Sequence, residues 1–174
     1  MVAEFKENIS FYIENFNIEA QLFKKGVEIK ERGYLTKTEF LNICLWKSRR
    51  PKNLYKQNSE TEIENSTKLA LAENDELLKI NHLTKLNGVL IPTASAILSI
   101  VNPQDYPIID IRCVNSLKEL KVIDWETINS KNWLIYLDVI RRLSKELNLT
   151  CREVEKGLFA YNRIKLDLEY KNLY

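Results

Sequence analysis

Three helix starts are written into this chain in the same four-residue form. Thr36 precedes Glu39, Ser59 precedes Glu62 and Thr150 precedes Glu153. In each pair the hydroxyl oxygen accepts the backbone N–H three residues on, while the carboxylate reaches back to the N–H of the hydroxyl residue. Two of the donors that a helix start leaves unpaired are thereby satisfied together. Apolar residues recur at three- and four-residue steps: Phe40, Ile43, Cys44 and Trp46 in one segment, and Trp133, Tyr136, Leu137, Ile140 and Leu143 in another. Such spacing belongs to helices with one buried face. Strands have no comparable support, because no clean alternating run exceeds four residues and Asn87-Gly88 lies between two helical patterns. The chain is expected to be all-α, with about eight to ten short helices, no internal repeat, and its longest helix running from Thr150 to Asp167 or beyond.

Composition narrows the class without naming a task. With 174 residues, 45% of them hydrophobic and 29% charged, the chain can bury a real core. Its net charge is +2, so an argument for an anionic partner must come from local clusters. Cys44, Cys113 and Cys151 are far apart and lack Cys-x-x-Cys spacing, which argues against a zinc knuckle or a disulfide framework. His82 has no partner at ligand spacing and is read as a structural residue, as are Phe11, Tyr12, Phe16 and Phe23 at helical spacing. No basic-then-apolar leader opens the chain and no apolar run is long enough for a membrane span. A soluble cytoplasmic protein without metal or other cofactor, monomeric and with no membrane partner, is the expectation.

Charge is nevertheless segregated. Trp46 to Asn58, WKSRRPKNLYKQN, carries Lys47, Arg49, Arg50, Lys52 and Lys56 without an acid, and Pro51 is expected to hold it as a basic loop. The following stretch, Ser59 to Glu76, is strongly acidic and reads as a solvated helix face. Cations at that density are what phosphate contacts use, and Trp46 and Tyr55 add rings able to stack on a base.

The stretch LNGVLIPTASAILSIVNPQDYPIID, residues 86–110, reads as a tight connection between helices, a second helix with Pro92 at its first position, and a proline loop ending on Asp110. With a glycine at φ > 0, the N–H groups of Gly88, Val89, Leu90 and Thr93 turn outward together, an arrangement that suits phosphate. A plain helix–helix connection has the same sequence form. Asp110 likewise fits an N-cap of the helix beginning IRCVNSL, a role compatible with catalysis. Arg112 stands two residues on, placed either to pair with it or to face solvent.

LNGVLIPTASAIL followed by YPIIDIRCVNSL resembles the core of the helix-hairpin-helix GPD superfamily of DNA glycosylases, in the order hairpin, Thr-Ala helix, proline loop, aspartate. The resemblance implies two helical lobes forming one unit: residues 17–101 with the hairpin, and residues 1–16 plus 102–174 with Asp110, facing a cleft. It implies duplex DNA as partner and removal of a base, with Asp110 stabilising an oxocarbenium-like sugar and a flipped nucleotide in an aromatic pocket. Trp46, Tyr55 and Arg112 are the candidates for base or strand contact, Trp125, Trp133 and Tyr136 weaker ones, and Lys47, Arg49, Arg50 and Lys52 would hold phosphates. Leu90 replaces the second hairpin glycine, Pro92 stands where bifunctional members carry an imine-forming lysine, and no four-cysteine iron–sulfur loop follows Cys151. The rivals are a DNA-binding or protein-interaction module that has lost the chemistry, and a different small-molecule or RNA-directed activity in the same cleft.

Overall fold

The computed structural model describes residues 1–16 and 21–171, and all regular elements among them are helical. In chain order they are α1 (Val2–Glu7), α2 (Ile9–Glu14), a short 3-10 helix (Gln21–Lys25), α3 (Gly26–Arg32), α4 (Lys37–Lys47), α5 (Lys52–Gln57), α6 (Glu60–Ala72), α7 (Glu76–Thr84), α8 (Ile91–Val101), α9 (Ile111–Glu119), α10 (Ser130–Leu147) and α11 (Cys151–Lys171). The three capping boxes all form: Glu39, Glu62 and Glu153 accept the N–H groups of Thr36, Ser59 and Thr150 at 2.9, 2.7 and 2.8 Å.

Two local events raise the helix number above the sequence expectation. The N-terminal segment breaks at Asn8, whose φ and ψ of −103° and 10° separate α1 from α2. The basic stretch is also more ordered than a loop. Pro51 occupies the N-cap of α5 instead of ending structure there, and only residues 48–51 lie between α4 and α5. Pro92 is the second residue of α8, after Ile91, a first-turn position that still needs no N–H partner. The expected lobe boundary at Asn17 falls outside the described residues.

Packing is organised around α8 and α11. Every residue of α8 from Thr93 to Val101 is buried, and α3, α4 and α7 pack against it. Gly26 makes the first of these contacts possible, because a Cβ there would stand 2.0 Å from the Ile100 carbonyl oxygen. Helix α11 packs against α2, α9 and α10, with Ser116 Oγ donating to the Leu158 carbonyl at 2.6 Å.

The connection from α8 to α9 carries Asp110 and is fixed at several points. Ser95 Oγ accepts the Ile109 N–H at 3.1 Å, and Tyr136 donates its hydroxyl to the Ile108 carbonyl at 3.0 Å. The carbonyls of Gln104 and Pro103 accept the first N–H groups of α11, from Cys151 and Arg152, both at 3.1 Å. A segment that lacks regular structure is thus used to satisfy a helix start. No helix among the described residues is long and apolar enough to cross a membrane.

Gly26→Ala is expected to cost about 1–3 kcal/mol or more, because backbone must shift to admit the methyl. Leu90→Ala, at a side chain 71% exposed, should stay within about 0.5 kcal/mol. Urea denaturation of the two variants checks the contrast.

Candidate active site

Asp110 is the N-cap of α9, and its extended backbone (φ −140°, ψ 151°) lets Oδ1 accept the Arg112 N–H at 3.1 Å. The cap engages only one oxygen. Lys47, the last residue of α4, donates from Nζ to Oδ2 at 2.6 Å. The pair is only partly open, the side chains being 13% exposed for Lys47 and 25% for Asp110. Burial pushes the Asp110 carboxyl upward, but the charge and hydrogen bond of Lys47, the Arg112 N–H and the Arg112 charge outweigh it, so its pKa lies below the ordinary value. Asp110 is an anion held in place from two helices.

Two pockets meet at this pair. One, about 200 Å³, has walls of Phe16, Trp46 and Phe159, with Arg152 and Glu155 among its lining groups. A cavity of about 150 Å³ suffices for benzene, so one heteroaromatic ring is within its scale. Arg152 pairs with Glu155 inside the protein, with the two side chains 5% and 3% exposed. The Arg152 guanidinium also lies 4.9 Å from the ring centres of Phe16 and Phe23. Burial raises the Glu155 carboxyl pKa against the pull of Arg152 and Lys47. The two carboxyl groups on this pocket are thus shifted in opposite senses, Asp110 down and Glu155 up.

The second pocket, about 240 Å³, shares Lys47 and Asp110 and is bounded by Ser48, Pro51, Gly88, Leu90 and Pro92. Gly88 adopts φ +82° in the connection between α7 and α8. A Cβ there would meet Leu54 Cβ at 2.9 Å and Tyr55 Cδ1 at 3.0 Å, so both conformation and space call for glycine. The side-chain amide of Asn58 clamps the same turn, donating to the Asn87 carbonyl at 3.1 Å and accepting the Asn87 N–H at 2.7 Å.

The outward donors differ from those the sequence suggested. Val89 N–H is bonded to the Leu86 carbonyl and Thr93 N–H to the Leu90 carbonyl, at 3.0 and 2.9 Å. The Thr93 side chain is buried and shares a 3.3 Å hydrogen bond with Tyr55. The N–H groups of Gly88, Leu90 and Ile91 have no acceptor among the described residues. Arg49, Arg50 and Lys52 are exposed beside this turn, with no ion pair among the described residues.

Other expected contact residues are placed differently. Trp46 is partly buried, faces the first pocket and meets Phe23 edge-on at 6.0 Å. Tyr55 is closed off from solvent, with its ring under Gly88 and edge-on to Phe40, so it packs the turn and cannot stack on a base. Arg112 gives Asp110 its N–H; its guanidinium lies 5.5 Å from the Phe159 ring centre and 3.5 Å from Asn162 Oδ1. Trp133 and Tyr136 are wholly buried core residues, and Trp125 packs against that core.

The sequence reading passed over Phe16, Arg152, Glu155 and Phe159 as site residues. One signal was available: Arg152 and Glu155 lie among Cys151, Val154 and Leu158, so two charges occupy the apolar face of α11. A larger concavity, about 540 Å³, lies away from Asp110 and includes Lys30, Arg32, Glu76 and Lys79. Its deeper charges are spent on the fold, since Lys79 Nζ donates to the Ala70 carbonyl at 2.9 Å and Glu76 pairs with Arg141 at 2.6 Å. Comparison with protein-family models, curated proteins and solved structures returns no significant match.

Asp110→Asn is expected to destabilise the protein by about 1–3 kcal/mol at neutral pH, since it leaves Lys47 without its anion. Because folding depresses the Asp110 pKa, its ionic contribution is present above the unfolded value near ~3.9 and is lost as pH falls through the lower folded value. The stability gap between wild type and Asp110→Asn should therefore narrow below about pH 4, as read by denaturant titrations across the acid range.

Proposed function

We propose that this chain is a DNA-binding protein of the helix-hairpin-helix glycosylase type, which removes an unidentified base by hydrolysing its N-glycosidic bond at Asp110. One observation carries the reading: a fixed, ionised carboxylate stands where a ring-sized aromatic pocket meets a glycine turn with unpaired N–H groups. Base loss builds positive charge on the sugar, and a preformed anion stabilises that charge without reorganising. On this reading the segment from α7 to α8 is the hairpin, and the N–H groups of Gly88, Leu90 and Ile91 bind a backbone phosphate. Arg49, Arg50 and Lys52 hold the neighbouring strand. The nucleotide turns out of the duplex and its base enters between Trp46, Phe16 and Phe159. The two lobes of the sequence reading become the walls on either side of Asp110.

One observation favours a binding module instead. Both Asp110 oxygens already have donors, Oδ1 from the Arg112 N–H and Oδ2 from Lys47, as a purely structural tie between α4 and α9 requires. The two readings share the DNA surface and differ in chemistry.

A fluorescent duplex should bind with affinity that falls as salt rises. Charge reversal at Arg49, Arg50 and Lys52 should lower the log–log salt slope by roughly 2–3; binding unaffected by both would remove the DNA reading. Oligonucleotides carrying damaged bases should yield abasic sites with the wild type and about 100-fold fewer with Asp110→Asn. Equal binding without product from either protein would establish the module.

A further inference from the structure

The concavity of about 540 Å³ away from Asp110 falls within the range of roughly 300–1,000 Å³ typical of small-molecule sites. It opens where α3, α6 and α8 end and α7 begins, with Gly33, Ala72, Val101 and Glu76 in its walls. Asp75 caps α7 through the N–H groups of Leu77 and Leu78, both at 2.9 Å. The three-residue step from Glu76 to Lys79 then sets both side chains on one side of that helix. Tyr106 joins them to the segment after α8, its ring centre 5.8 Å from Lys79 Nζ and its hydroxyl 3.3 Å from Glu76 Oε1.

The bonds that tie these two charges into the fold leave a remainder. Lys79 is 6% exposed, and its ammonium spends two of three N–H groups on the Ala70 and Glu73 carbonyls, at 2.9 and 2.5 Å. The third has no acceptor among the described residues. Glu76 gives Oε1 to Arg141 and Tyr106, whereas Oε2 is buried and has no donor among the described residues. Leaving a shut-in donor and acceptor unmatched is costly. A ligand that presents an acceptor beside a donor satisfies both, and the edge of every nucleobase does so. We propose that this concavity binds a free mononucleotide, with its base edge between Lys79 and Glu76 and its phosphate at Lys30 and Lys68.

Charge fixes which end goes in. Glu73 and Glu76 stand in the wall, and the ends of three helices add partial negative charge. An anion is therefore unwelcome deep inside, and a neutral base edge is not. Leu71, Leu98 and Val101 offer apolar surface to the faces of a ring. At the mouth the balance reverses: Lys30 and Lys68 are exposed with no ion pair among the described residues, while Arg32 is engaged by Glu39. Two unpaired cations suit one phosphate that stays partly in water. Glu76 Oε2 is closed to solvent, but the terminal torsion of a glutamate is soft, and a base edge seated at Lys79 brings the donor that turns it outward.

Calorimetric titration of the intact chain with AMP, GMP, CMP and UMP tests the site. Ribose 5-phosphate is the probe without a base, and the matching nucleoside is the probe without a phosphate. At least one mononucleotide is expected to bind about tenfold or more tighter than either partial probe. Lys30→Glu combined with Lys68→Glu, both at exposed side chains, should keep the helical circular-dichroism spectrum and weaken that nucleotide by about tenfold or more, with the nucleoside unaffected. Lys79→Met should weaken nucleotide and nucleoside alike; if it loses the helical spectrum, the partial probes and the rim variant decide. No binding of any mononucleotide at about 1 mM, equal binding of ribose 5-phosphate, or affinity indifferent to the rim variant each overturns the proposal. A 5′-phosphorylated oligonucleotide separates a strand end from a free nucleotide: binding of the oligonucleotide through Lys30 and Lys68 without binding of any mononucleotide also overturns it. The site lies apart from Asp110, so none of these outcomes alters the base-excision reading.

Discussion

The bond between Lys47 and Asp110 joins residues 63 positions apart and fixes the end of α4 to the start of α9. Taking two charges partly out of water is costly, and replacing such a pair by apolar side chains is often neutral or stabilising. Its value therefore lies in position more than in stability. It sets where the two pockets meet and keeps an anion poised at their junction.

The segment between α8 and α9 makes that placement possible. Ser95 and Tyr136 bond its last residues, while its first residues give their carbonyls to the start of α11. Asp110 is consequently positioned by the core and by α11 at once. The same helix brings Arg152, Glu155 and Phe159 to the pocket, so the anion and the pocket that faces it share one support.

Local signals explain what could be read in advance. Capping boxes and three-to-four spacing are properties of neighbouring residues, so the helices, their starts at Thr36, Ser59 and Thr150, and the cap at Asp110 were visible in the sequence. Cations at residues 47–56 suggested a loop, because charge density does not reveal that Tyr55 is wholly buried or that Pro51 opens a helix. Glu155 and Arg152 drew no attention, because their meaning depends on which side of α11 faces the pocket. The Lys47 contact is a tertiary event that no local pattern encodes. Donor assignment in the glycine turn failed for a similar reason: which N–H groups are spent depends on the turn's own carbonyls, and Ile91 emerged in place of Val89 and Thr93.

Tyr55 lies under Gly88 and bonds Thr93, while Asn58 grips Asn87 from both sides of its peptide. The cationic turn before α5 and the glycine turn before α8 are thereby welded into one stiff jaw. The two turns therefore keep a constant separation, and whatever groups they carry are held at a fixed spacing.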